Sequence, residues 1–369
     1  MRRFISLLVV FAVVVAAGLF GVAGYARLSD PFKRYGGSEQ FVDIPPKTGP
    51  QAIGRLLVEH GVVADALTWR IALWRRGEAT RLKAGEYRFD RPMTVDDIIR
   101  KLVRGDVYLR SVTFPEGLTI RQMAQVYQAA GLGEASAFAD AAADPALRSR
   151  LDPGARDLEG YLFPDTYALP RRATAADLIR KMAARFEAVF TPALREAGTA
   201  GGMSVREVVI LASLIEKETA RPDERPVVAA VYQNRLRIRM GLQCDPTVIY
   251  ALERAGRYTG NLTHADLGFD SPYNTYRYPG LPPGPIASPG RAALEAAVNP
   301  APVDFLYFVS RNDGSHAFAA TLEAHNRNVH TYQIVYFRDQ KAAAHAGPGA
   351  PPPRKIPARP ARSADPRRR

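Results

Sequence analysis

The feature that most constrains this chain is an uncharged apolar run over residues 4–26, bracketed by Arg2 and Arg3 on one side and Arg27 on the other. At 1.5 Å per residue such a run is long enough to cross the hydrocarbon layer of a bilayer as one helix. It exceeds the usual signal-peptide core of about 7–15 residues, which favours a retained anchor. A cleaved signal peptide is the alternative, because small residues (Gly21, Ala23, Gly24, Ala26) stand near its end. Arg2 and Arg3 predict a cytoplasmic start and place everything after Arg27 across the membrane, with Lys33 and Arg34 as the opposing signal.

The rest of the 369 residues is ordinary globular material, 47% hydrophobic and 24% charged, long enough for two or so folded units. A net charge of +13 invites a nucleic-acid reading, but eight basic residues against Asp365 alone lie in the Pro/Ala-rich stretch 341–369 and supply +7 of it. Such a tail is disordered by composition and, outside the cytoplasm, meets anionic lipid or polymer; no nucleic-acid partner is expected. The single Cys244 permits no intramolecular disulfide.

Hydrophobic periodicity divides the chain into an anchor (1–27), a linker (28–40), a small α+β module (41–110), a larger mixed α+β domain (111–340) and the tail (341–369). In the module, short strand, turn and amphipathic helix occur twice, over 42–63 and 83–106, with Thr94 as N-cap and Gly105 as stop for the second helix. This outline resembles the LysM-like module of wall-binding proteins; a packing domain without ligand has the same pattern. Residues 111–200 read as helix-rich. Their 131-GLGEAS-136 follows a helical stretch where a dinucleotide site needs a strand, and is set aside.

The chemistry concentrates between Val205 and Tyr336. On a helix through 205-VREVVILASLIEKET-219, Val205, Val208, Val209, Ala212 and Ile215 share one arc and Glu216 falls near its centre, with Arg206, Glu207, Lys217 and Glu218 on the other side. A carboxylate in an apolar stripe is costly to ionise, so its pKa rises and it keeps a proton, as a general acid requires. The alternative is a helix-end residue that reaches water or pairs with a nearby arginine.

Three stretches in fixed order, 158-LEGYLFPDTY-167, 212-ASLIEKET-219 and 242-LQCDPTVIY-250, joined by 273-YNTYRYPGLPPGPIASPG-290 and 325-HNRNV-329, resemble the YceG-like endolytic murein transglycosylases (the MltG family). The resemblance spans nearly everything between the anchor and the tail. It implies an inner-membrane, single-pass enzyme with its catalytic domain on the periplasmic side. The implied reaction cuts the β-1,4 bond between N-acetylmuramic acid and N-acetylglucosamine in nascent peptidoglycan glycan strands, leaves 1,6-anhydro ends and limits strand length. Peptidoglycan, the cytoplasmic membrane and peptidoglycan synthases are the implied partners. The family's catalytic glutamate falls on Glu216. A non-catalytic peptidoglycan-binding scaffold and a conventional two-carboxylate muramidase stay open as alternatives.

Around Glu216 the substrate-contacting candidates are Glu159, Gln243, Asp245, Tyr273, Asn274, Thr275, Tyr276 and Asn326. Glu159 contacts substrate or caps a loop; Asp245, before Pro246, forms a turn, positions substrate or acts as a hydrolase's second carboxylate. Tyr273 to Tyr276 offer amides and hydroxyls beside aromatic faces, the mix that holds N-acetyl sugars, or else a Pro-braced loop that only packs. Glu218 lies about 200° round the helix from Glu216 and reads as structural. His325 and His330 are five apart, the wrong spacing for a shared face, so no metal and no cofactor are expected.

Overall fold

The computed structural model describes residues 11, 15 and 25–345, with backbone alone for 342–345. The expected anchor over residues 4–26 and the tail after residue 345 lie outside the described residues, apart from isolated positions of the former. The chain forms two compact units, one of Met1–Val112 with Thr166–Leu178, the other of Thr113–Asp165 with Ile179–Arg369. The architecture is mixed α+β, many helices with three two-stranded sheets.

In the first unit, β1 (Gln40–Ile44) leads to α1 (Pro50–Glu59) and α2 (Ala66–Arg76), and β2 (Gly85–Phe89) returns antiparallel to β1, Gln40 opposite Phe89 and Ile44 opposite Gly85. α3 (Val95–Arg104) follows, capped by Thr94 and stopped by Gly105 in the left-handed region, as its sequence indicates. The core joins Val42, Ile44, Leu57, Trp69, Tyr87 and Ile98. α2 was not legible in the strand–turn–helix outline. Its apolar residues fall on both sides, so no single stripe announces it; the Asp65 cap, accepting from Thr68 N at 2.8 Å, and Gly77 define its ends instead.

The stretch 111–200 also contains more strand than its composition indicates. β3 (Arg110–Thr113) pairs with β4 (Thr166–Leu169), separated in sequence by α4 (Ile120–Ala129), α5 (Ala135–Ala142) and α6 (Pro145–Leu151). Four-residue strands are too short for period-2 alternation to stand out. After β4, Arg171 bonds Glu86 of β2 at 3.0 Å and lies over the Phe41 ring, which ties this segment to the first unit.

The second unit adds α7 (Ala175–Val189, entering it at Ile179), α8 (Pro192–Ala200), α9 (Val205–Glu218), α10 (Arg225–Arg237), α11 (Asp245–Arg254) and α12 (Arg291–Val298). The hairpin β5 (Tyr307–Ser310) and β6 (His316–Ala319) precedes α13 (Leu322–Val329), a π-helical turn over His330–Val335 and α14 (Tyr336–His345). The centre is α9. Every residue from Val208 to Ile215 is buried, because α8, α10, α11 and α12 all pack on it. The one-sided stripe inferred from its wheel is therefore only part of an all-round apolar surface. No single helix among the described residues is long and apolar enough to cross a membrane.

Gly54 of α1 is where the first unit is tightest. A Cβ there would stand 2.2 Å from Trp69 Cδ1, and Trp69 is pinned by its indole N–H donating to Pro50 O at 2.9 Å. Gly54→Ala is expected to cost about 1–3 kcal/mol through overpacking, while Gly36→Ala, which meets nothing within 4 Å, is expected to be neutral. Thermal unfolding followed by circular dichroism compares the two.

Candidate active site

Glu216 owes its place to two ends of one helix. Ser204 caps the start of α9 in a reciprocal box, its backbone N–H donating to the Glu207 carboxylate at 2.8 Å. At the other end the chain turns extended at Thr219, leaving Glu216 in the last turn. The carbonyls there present the negative end of the helix dipole, so a carboxylate needs donors from elsewhere.

Two segments supply them. Arg225 Nη2 donates to Glu216 Oε1 at 3.1 Å, and Gly290 N donates to Oε2 at 3.0 Å. The Glu216 side chain is only 6% exposed. Burial pushes its carboxyl above the ordinary range; Gly290 N–H and Arg225 pull it down, Glu116 pushes it up, and Lys217 pulls it down. The net shift is upward, so the site holds a proton better than a surface glutamate. Glu216 is thus buried and paired with an arginine, the pairing that the helix-end alternative describes.

Glu116 escaped the sequence reading. Its Oε2 lies 3.7 Å from the same Arg225 Nη2, and its side chain is 47% exposed, so it faces solvent where Glu216 does not. A Cβ on Gly290 would stand 1.9 Å from Glu116 Oε1, so the absence of a side chain lets backbone, Glu116 and Glu216 converge. The loops carrying these groups are laced together: Gly117 N donates to Ser288 O at 2.9 Å and Ser288 N to Leu118 O at 2.8 Å. Lys217 Nζ adds a bond to Gly117 O at 3.2 Å, and Ile286 N donates to Ser213 Oγ of α9 at 3.1 Å. The available signal was 115-PEG-117, a turn whose Gly117 has φ +77° and so favours glycine.

The other sequence candidates fall into separate groups. Glu159, buried, accepts from Ile120 N at 3.0 Å and from the Tyr250 hydroxyl at 3.3 Å. Burial, with Asp157 adding to it, pushes its carboxyl up to about 8. It lies at a cavity of about 570 Å³ shared with Arg206, Arg254 and Tyr273, where Tyr273 packs on Tyr250 at 5.0 Å and Arg254 covers both rings. A third group stands at the start of α11: Asp245, exposed, accepts from the Tyr276 hydroxyl, and exposed Gln243, with φ +49°, donates its N–H to Thr275 O.

Asn274 and Thr275 are fully buried and spend their polar atoms inside the loop. Asn274 Nδ2 donates to Leu267 O and Phe269 O, and its Oδ1 accepts from Tyr276 N; Thr275 Oγ1 meets Cys244 N and Thr247 Oγ1. In this structure they brace the loop, the packing alternative. Glu218 accepts from the Tyr232 hydroxyl, and burial pushes its carboxyl up. Cys244 is a buried thiol beside them. Asn326 is exposed on α13, which packs on the β5–β6 hairpin.

A profile of the YceG-like family matches residues 42–331. The chain belongs to the YceG-like family. It is 34% identical over 357 residues to an endolytic murein transglycosylase of Streptococcus pneumoniae serotype 2 (strain D39 / NCTC 7466), across 88% of this chain and 64% of that relative. It is also 31% identical over 323 residues to an endolytic murein transglycosylase of Bacillus subtilis (strain 168), across 83% of this chain and 88% of that one. The chain therefore spans somewhat under two thirds of the streptococcal relative's length and most of the Bacillus one's. The crystal structure of a putative yceG-like protein from Listeria monocytogenes superposes with a TM-score of 0.54 at 31% identity, covering 79% of this chain and 98% of that one.

Glu159 gives a test independent of any substrate. Its folded carboxyl titrates near 8 against an ordinary 4.5, so the folded state holds the proton more tightly than the unfolded chain. The sign follows: stability tied to this group is complete below about 4.5 and is lost as pH rises through about 8. Denaturant unfolding at pH 5 and pH 9 is expected to show wild type losing a few kcal/mol relative to Glu159→Gln, which keeps an acceptor but does not ionise.

Proposed function

We propose that the protein is an endolytic lytic transglycosylase of peptidoglycan, with Glu216 as acid and then base. The observation that carries this reading is one buried carboxyl with a raised pKa, answered by Arg225 and the Gly290 N–H. The names of its relatives support the same activity. Protonated Glu216 gives its proton to the glycosidic oxygen as the bond from muramoyl C1 breaks, and the N-acetylglucosamine side leaves with a free 4-hydroxyl. The Glu216 carboxylate is then stabilised by the two donors already in place. It takes the proton of the muramoyl C6 hydroxyl while that oxygen bonds to C1, closing the 1,6-anhydro ring. No water is consumed, and Glu216 ends protonated as it began.

A muramidase reading keeps one specific support, since Glu116 shares Arg225 with Glu216 and is exposed enough to direct a water. Asp245, already engaged by Tyr276, is the weaker partner for such a mechanism.

The setting of this activity belongs to the same reading. Residues 4–26 form a single transmembrane anchor, residues 111–340 form the catalytic domain on the periplasmic side of the inner membrane, and the basic tail follows them. The β–α–α–β order of β1, α1, α2 and β2 supports a LysM-like module over 41–110. An enzyme so tethered cuts nascent strands near the synthases that make them and limits their length.

Mass spectrometry of uncross-linked glycan strands is the direct test: wild type is expected to give 1,6-anhydro ends and Glu216→Gln none. Reducing ends would favour the muramidase, and no cleavage by wild type the scaffold. Because Glu116 pushes the Glu216 carboxyl up, Glu116→Gln is expected to retain cleavage while the alkaline limb of its pH–rate profile moves to lower pH. Loss of cleavage at every pH would instead give Glu116 a direct part in the reaction.

A further inference from the structure

α2 buries one face and, among the described residues, leaves the other uncovered. Thr68, Trp69, Ala72 and Leu73 enter the core, whereas Leu67, Ile71 and Trp74, at spacings of four and three, form an exposed apolar stripe; Trp74 is 85% exposed. Exposed Arg70 and Arg75 flank the stripe, with Arg55 across a shallow depression of about 640 Å³ that Trp74 and Trp69 also line. Arg55 and Arg70 have no carboxylate within ion-pair distance among the described residues, while Arg75 pairs with Asp96.

The end of the N-terminal apolar segment lies beside this helix. Arg27, the first charge after that segment, pairs with Asp65, the N-cap of α2, at 3.8 Å. The chain beyond is fastened to the same unit, with Phe32 bridging Met93 and Arg34 N donating to Gly61 O at 2.9 Å.

We propose that the outward face of α2 lies in the headgroup layer of an anionic lipid bilayer, next to the point where residues 4–26 leave the membrane. This rests on the anchor reading above. The aliphatic and indole groups reach the acyl boundary and the guanidiniums meet lipid phosphates, the division of labour of interfacial helices. A sugar ring is a poorer match, because Leu67 and Ile71 offer it no hydrogen bonds. Tethering keeps the local lipid concentration high, so a short stripe suffices. The consequence is a first unit docked on the membrane by a second contact besides the anchor.

The chain has two tryptophans, and Trp69 is 1% exposed, so subtracting the emission of Trp74→Phe isolates Trp74. The experiment reconstitutes the full chain in vesicles of phosphatidylcholine with or without phosphatidylglycerol, adds lipids brominated near the headgroup, and confirms insertion by flotation. The expected result with phosphatidylglycerol is a blue-shifted Trp74 component, quenched by brominated lipid and shielded from aqueous iodide. Arg55→Ser and Arg70→Ser are each expected to lower the docked-to-free ratio roughly fivefold. A chain that floats with its vesicles while Trp74 stays open to iodide and untouched by brominated lipid overturns the proposal and leaves the anchor standing. A chain that does not float overturns both. Protection of Trp74 only on addition of glycan strands, or only at high protein-to-lipid ratio, assigns the face to sugar or to a second copy and equally overturns it. Strand cleavage by Glu216 is measured separately and does not depend on any of these outcomes.

Discussion

A carboxylate taken out of water without partners costs several kcal/mol, and the C-terminal turn of a helix, lined by carbonyl oxygens, is a poor place to put one. Glu216 occupies that place at the end of a helix whose preceding residues, Val208 to Ile215, are all buried. Its tolerance there depends on Arg225, nine residues on, and on Gly290, 74 residues on. Gly290 must arrive without bringing bulk of its own. That requirement explains the lacing of residues 117–118 to 288, the anchoring of Ile286 on Ser213, and the glycine at 290, where any side chain would strike Glu116. The long Pro- and Gly-rich loop that leads to α12 is the means by which Gly290, the more distant donor, reaches this carboxyl.

A raised pKa alone does not single out the proposed acid. Burial pushes up Glu159, Glu216 and Glu218 alike. Glu159 is held by the first N–H of α4 and a tyrosine hydroxyl, and Glu218 by the Tyr232 hydroxyl. Among the described residues, neither has a guanidinium bonded to its carboxylate. Glu216 does, and that guanidinium also reaches a half-exposed carboxylate open to solvent. An acid that must lose and regain its proton needs such a partner in its ionised state and a route to substrate, and among these three only Glu216 has the first.

The local signals in the sequence were legible where a single residue type enforces a backbone state: Thr94 and Gly105 bound α3 as read, and the helix carrying Glu216 forms with its arc of Val208, Val209, Ala212 and Ile215 inside. What could not be read depends on which distant segments meet. Nothing near 116 or 225 in the chain marks those residues as neighbours of 216, and nothing in 273-YNTY-276 says that Asn274 and Thr275 turn inward to brace their loop while Tyr273 lines a cavity. Polar residues in a loop serve either purpose, and only the count of hydrogen bonds already made inside the protein separates them.

The two helices that lack a clean stripe, α2 and α9, show why periodicity alone was ambiguous. Both are apolar on opposite faces. In α9 the second face is covered, because α8, α10, α11 and α12 surround it, and its charges are confined to the ends. In α2 the packing partners α1 and α3 accept one face, and arginines are interleaved with the exposed apolar residues of the other. A helix meant for a protein interior has no use for charges at those positions, since each would have to be buried or paired. Charges alternating with Leu67, Ile71 and Trp74 suit a boundary, with an apolar phase on one side and phosphate or water at the rim. The placement of charge, more than the quantity of apolar surface, distinguishes a helix that is surrounded from one that faces an interface.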